Sequence, residues 1–169
     1  MLDERCCPAG CCCAGQPGPQ GPAGPQGPIG PQGPMGAAAT AENAMRYSTG
    51  AQTVAAAAAL ALPTSVLHTG GAISEAGSSG LTLTPGVYLA LFTADCSGEA
   101  AGELGAVLAL NDAELAYTAA RLPAEAGELR RLALQTLLEL TAAGTLTVRN
   151  QTPNGLVYEN AVLTVLRLN

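Results

Sequence analysis

The stretch ELRRLALQTLLELTAAG, residues 128 to 144, admits two readings, and the choice between them decides the fold. Leu129, Leu132, Leu137 and Leu140 recur at helical spacing, with Gly144 where a helix C-cap would stand. Leu132, Leu134, Leu138 and Leu140 equally share one face of an extended strand, with Thr136 between them. Periodicity taken alone favours the helix, and the segment by itself stays ambiguous. AQTVAAAAALAL, from Ala51, poses the same question, because alanine is the best helix former.

The flanking sequence leans the other way. LTLTPGVYLALFTA (81 to 94) places a Pro-Gly turn between short apolar runs. TLTVRN (145 to 150) is followed by TPNGLVY, in which Asn154-Gly155 reads as a hairpin turn because both residues tolerate positive φ. The closing AVLTVLRLN reads as a strand. Short strands parted by turn residues every ten or so positions predict an all-β sandwich or barrel.

Upstream the pattern is different in kind. Gly15, Gly18, Gly21, Gly24, Gly27, Gly30, Gly33 and Gly36 recur at every third place, with proline after nearly every glycine. Three polyproline-type chains wind together only where a residue without a side chain occupies the crowded axis every third position. The period therefore predicts a triple-helical rod of about 65 Å, and with it a homotrimer whose axis is lined by these glycines. A disordered Pro/Gly linker is the alternative, favoured where the composition lacks a period. So short a rod loses much entropy on winding and needs another element to hold three chains together. Three regions follow: a cysteine-rich segment at 1–14, a Gly-X-Y stalk at 15–36, and a β-rich head at 37–169.

Composition excludes several classes. With seven Lys+Arg and a net charge of −6 among 169 residues, nothing suggests a groove that neutralises phosphates, so nucleic acid is not expected as a partner. The longest apolar run, VAAAAALALP from Val54, falls short of the about 20 residues that span a bilayer. MLDERCCPAGCCC has neither an apolar core nor a cleavage site of a secretory signal. Cys6, Cys7, Cys11, Cys12 and Cys13 crowd this segment, and Cys96 stands apart as a small buried hydrophobe. The cluster is too compact for the paired spacing of a zinc site, although Cys7 with Cys11, or Cys6 with Cys12, could share a soft metal. Inert thiols on a tag and intermolecular disulfides are the other readings, and in a trimer the gathered thiols would staple three chains.

No catalysis and no cofactor are expected. AGSSG (76 to 80) loosely fits a nucleophile elbow around Ser78, but a strand-like segment follows where a helix should, and His68 precedes the serine. Asp112 and Glu114 form no matched acid/base pair, and Arg130 and Arg131 read as solvated or rim charges.

A Gly-X-Y stalk before a β-rich domain resembles the bacterial collagen-like proteins of spore surfaces, in particular the BclA-type exosporium glycoproteins. TLTPGVYLALFTA, VLALNDAEL with its Asn at a turn, LELTAAGTLTVRN and AVLTVLRLN carry the resemblance in the head. It implies a jelly-roll head similar to tumour necrosis factor and to the globular head of the first complement component, assembled as a homotrimer. On that basis residues 128 to 144 become a strand, apolar on both faces: one toward the sandwich core, one toward a three-fold interface. The resemblance further implies a filament on a spore surface (exosporium or outer coat), made without a secretion signal and attached through its cysteines to another coat or filament protein, its head carrying an adhesive role in one variant of this reading. Two departures stand out. No Ser or Thr occurs in the triplets to carry stalk sugars, and the cysteine tail replaces the usual anchoring leader. The alternative is a phage-type or cell-surface fibre whose head binds a receptor or glycan.

Overall fold

The computed structural model describes residues 18–27, 42–68 and 71–168. The chain divides into two units, Met1–Gly36 and Ala37–Asn169. In the first, residues 18–27 form an exposed run without regular structure, and nothing lies within 4 Å of a Cβ built on Gly18, Gly21, Gly24 or Gly27. Gly15, Gly30, Gly33, Gly36 and the five N-terminal cysteines lie outside the described residues.

The second unit is all β. Its strands are β1 (Asn43–Ser48), β2 (Gln52–Val54), β3 (Thr64–His68), β4 (Ile73–Ala76), β5 (Gly80–Leu83) and β6 (Gly86–Ser97). There follow β7 (Gly102–Leu110), β8 (Ala113–Glu114), β9 (Ala120–Ala124), β10 (Arg130–Leu140), β11 (Gly144–Asn150) and β12 (Leu156–Arg167), with one 3₁₀ turn at Ala116–Thr118. One antiparallel sheet runs β10-β6-β12-β1-β3, with β2 also on β12; the other runs β4-β5-β11-β7-β8, with β9 also on β7. From β9 onward the chain changes sheet at every connection, as a jelly roll requires.

The ambiguous stretch is strand β10, and its burial settles the choice. Leu132, Leu134, Leu138 and Leu140 are buried at a period of two, while Leu129 and Leu137, half of the helical set, are 55% and 61% exposed. β10 pairs with β6 along its whole length, bringing Leu134 opposite Phe92 and Leu138 opposite Tyr88. Tertiary pairing thus overrides local propensity. The alanine-rich run forms no helix either. Its backbone is taken up by the edge of β11: Ala57 N–H donates to Asn150 O at 3.0 Å, and Leu60 N–H to Val148 O at 2.8 Å.

The expected hairpin at Asn154-Gly155 is corrected. β11 and β12 belong to different sheets, and neither Asn154 nor Gly155 has positive φ. The link is held instead by Asn150, fully buried, whose Nδ2 donates to the carbonyls of Val54, Ala55 and Asn154 while its Oδ1 accepts from Thr152 N and Oγ1. The two-residue turn with positive φ is Asn111-Asp112, between β7 and β8, at φ 50° and 67°.

Between the sheets, β6 alternates large and small buried side chains: Tyr88, Ala90, Phe92, Ala94, Cys96. Opposite them lie Leu81, Leu83, Leu108, Leu146 and Val148 of the second sheet. Arg46 of β1 is buried in this layer at 2% exposure, and its Nε and Nη1 donate to backbone carbonyls of Leu62, Gly77 and Gly80. Gly80 is needed for close approach, since a Cβ there would sit 2.9 Å from Leu146 O, with Thr147 and Thr145 methyls at 3.0 and 3.1 Å. Backbone cannot yield as a flexible side chain would. Gly80→Ala should therefore cost about 1–3 kcal/mol, read as a lower urea midpoint; an unchanged midpoint would show that the β5–β11 pair relaxes freely.

Candidate functional site

The outer faces of the two sheets differ in chemistry. An antiparallel sheet with one solvated face should be polar there, and the second sheet obeys along β4, β5 and β11, presenting Ser74 and Thr82 across from Thr145, with Thr147 and Arg149 further along β11, although their β7 partners Ala109 and Val107 are apolar and buried. The first sheet does not. Cross-strand partners share a face, so the register lays out its outer rows directly. One row runs Val66, Met45, Thr164, Leu91, Gln135; the next runs Tyr47, Val162, Thr93, Ala133; a third runs Asn43, Leu166, Leu89, Leu137. Val66 is 40% and Leu137 61% exposed, and the β6 and β12 members between them are half-buried.

The expectation that β10 is apolar on both faces holds only in part. Its outer side carries Arg131, Gln135 and Glu139 beside Ala133 and Leu137. β10 is an edge strand, where charges discourage unwanted pairing, and the second apolar face belongs to the central strands β6 and β12. The signal was present in sequence as the apolar run VYLALF and the stretch AVLTVL, interrupted by Thr164 alone, which lack the alternation of a one-sided strand.

Toward one end this face turns polar. Asp95 accepts from Arg131 Nη1 at 3.3 Å and from Asn160 Nδ2 at 3.0 Å, beside a bulge in β12 between Glu159 and Val162. Arg130 pairs with Glu128 at 2.9 Å, so both arginines are exposed, partnered charges. The Glu125 backbone amide, which donates to the Glu128 carboxylate, and secondarily Arg130 hold that carboxyl below its usual range. Near the β6–β7 connection lies a cleft of about 330 Å³ lined by Thr53, Glu99, Glu103, Asn154 and Leu156.

Of the residues singled out for chemistry, Ser78 sits in the turn between β4 and β5, followed by strand, and His68 closes β3. Asp112 pairs with Arg149, not with Glu114. Among the described residues, no group of three or more His, Cys, Asp or Glu is placed to hold a metal, and no helix is long and apolar enough to cross a membrane.

Cys96 is fully buried as expected. Burial pushes its thiol from 9.0 up to about 12, against a smaller opposing effect of its hydrogen bond with Tyr158. Burial also raises the Tyr158 hydroxyl, which donates to Gly105 O. Native protein should therefore leave Cys96 unlabelled by maleimide at neutral pH, whereas unfolded protein labels it; fast native labelling would contradict the packing. Because the folded state binds these protons more tightly, stability should fall as pH rises from the unfolded thiol value of 9.0 toward about 12.

Arg46 and Asn150 were not foreseen as organising residues. A single arginine in NAMRYS and an asparagine ending TLTVRN look like ordinary strand-end polarity, and only the fold shows which carbonyls surround them.

No family model and no curated protein matches the sequence. Solved structures do match in fold. The globular domain of zebrafish complement 1qA protein aligns over 77% of this chain and 98% of its own, at TM-score 0.57 and 14% identity. Murine APRIL aligns over 76% of this chain and 99% of its own, at TM-score 0.59 and 13% identity. Eiger TNF from S. frugiperda aligns over 76% and 92%, at TM-score 0.57 and 14% identity. The head of this chain is thus similar to the jelly-roll heads of the tumour-necrosis and complement type.

Proposed function

We propose that the chain is a structural protein that works as a homotrimer, its head holding three copies together so that the Gly-X-Y segment winds into a stalk. The observation that carries this reading is the apolar outer face of the first sheet, centred on Leu89, Leu91, Val162 and Leu166, in a head joined directly to a glycine-periodic segment. Self-association buries such a face symmetrically, and a trimer is the state that the triplet period also demands. The enclosing role we assign is a filament on a spore surface, attached by disulfides from Cys6, Cys7, Cys11, Cys12 and Cys13 to a neighbouring coat or filament protein. Its supports are the resemblance in the stalk and head segments and the crowding of thiols at one end.

Sedimentation of the full chain together with its circular dichroism tests the assembly: a trimer with a triple-helical signature is expected, and a monomer without one would overturn the proposal. Gly24→Val should lower the melting of the triple helix by blocking the axis, and unchanged melting would argue that the segment is not wound. Release of the chain from spores only by reductant is expected for the anchoring role. A second reading, a fibre head that binds a receptor or glycan, draws on the polar cleft near Glu99 and Glu103. Saturable binding of a defined sugar, lost on Glu103→Ala, would favour it.

A further inference from the structure

We propose that Asn154 is a spontaneous deamidation site whose conversion loosens the buried Asn150 knot. Asn154 and Gly155 are both exposed, in the link between β11 and β12. Asn154 is the sole asparagine followed by glycine. Asn43, Asn111, Asn150 and Asn160 precede Ala, Asp, Gln and Ala, whose side chains crowd the nitrogen that must attack. Three of these are also tied: Asn111 Oδ1 accepts from Thr145 N, Asn160 Nδ2 donates to Asp95, and Asn150 is wholly engaged. Among the described residues the Asn154 side-chain amide makes no hydrogen bond, so its Cγ is not held away from the following nitrogen.

The step balances with water as the only co-reactant. The Gly155 nitrogen attacks Cγ of Asn154; the N–Cγ bond forms, the Cγ–Nδ2 bond breaks, and Nδ2 leaves as ammonia with the proton that Gly155 lost. Water then opens the cyclic imide at either carbonyl, giving aspartate or isoaspartate, with no change of oxidation state.

The position gives the chemistry a structural consequence. The main-chain oxygen of Asn154 accepts from Asn150 Nδ2 at 2.8 Å and from Thr152 Oγ1 at 3.0 Å, and both donors are buried. Isoaspartate inserts a methylene into the main chain and displaces this oxygen, leaving buried donors without their acceptor. The new carboxylate also joins Glu99 and Glu103 around the same cleft.

Ageing of the full chain in mildly alkaline buffer, followed by peptide mapping, tests the site. Conversion is expected at Asn154 ahead of every other asparagine, slowed several-fold by Gly155→Ala. That substitution is structurally mild, because its Cβ would meet nothing closer than Val54 O at 3.8 Å. Conversion first at another asparagine, or equal ageing of Gly155→Ala, would overturn the assignment. The isoaspartate-bearing fraction, separated by ion exchange, should melt below the fresh protein and below Asn154→Asp, which adds the charge but no methylene. If the isoaspartate fraction melts with Asn154→Asp, the coupling to Asn150 is wrong. These readouts need no trimer, so failure here is distinguishable from failure of the proposed assembly.

Discussion

Leu91→Glu should sediment as a monomer with its β-sheet circular dichroism intact, and the triple-helical signature of the stalk should vanish with the trimer. Leu91 lies in the middle of the outer apolar face, between Thr164 and Gln135, and takes no part in the core between the sheets. A monomer tolerates a carboxylate there because the side chain remains half in water. Three copies packed face to face would each bury an uncompensated charge, at a cost of roughly 3 kcal/mol or more per copy. Since about 1.4 kcal/mol is tenfold in an equilibrium constant, association should weaken by several orders of magnitude. Thr82→Glu, on the polar outer face of the second sheet, serves as the control and should leave the assembly unchanged. A Leu91→Glu chain that still sediments as a trimer would place the interface elsewhere.

Arg46→Ala should destabilise the head itself by roughly 3–5 kcal/mol, a large share of the 5–15 kcal/mol available to a domain. The guanidinium reaches from β1 across the core layer and holds Leu62 O at 2.9 Å, Gly77 O at 2.8 Å and Gly80 O at 2.6 Å. It therefore fastens the irregular segment before β3 and the β4–β5 turn to the other sheet. Truncation leaves a cavity and removes the donors of carbonyls lying in a site that is 2% exposed. Arg46→Lys should recover only part of the loss, because a compact ammonium lacks the planar fork that serves Nε and Nη1 together. Arg46→Met separates the causes, since it keeps bulk and removes the donors. Urea denaturation of all three would decide the matter: if Arg46→Met matched the unsubstituted protein, water would be satisfying the carbonyls and the bridge would carry no net stability.

How far the fold was legible varies with how local its cause is. β11 and β12 could be read because TLTVRN and AVLTVLRLN alternate or run apolar in ways that neighbours alone explain. Cys96 could be placed inside because a lone small thiol in an apolar strand has little else to do. The link at 151–155 misled, because Asn-Gly signals a hairpin only when the flanking strands pair with each other, and here they lie in different sheets. The apolar outer face was expected on β10 but lies on β6 and β12, since an edge strand and a central strand obey different rules, even though β10 holds five leucines against two in β6 and three in β12.

By itself, then, the sequence determined the three-residue glycine period and an all-β head, because each follows from sterics or patterning within a few residues. Only the tertiary structure decided that the Leu-rich stretch is a strand, over Arg130–Leu140. Its four alternating leucines are buried by Phe92, Tyr88 and the facing sheet, contacts between segments far apart in the chain that no local periodicity encodes. The same non-local packing turned Arg46 from a strand-end charge into a bridge between sheets, since three backbone carbonyls converge on it only once the sandwich has closed.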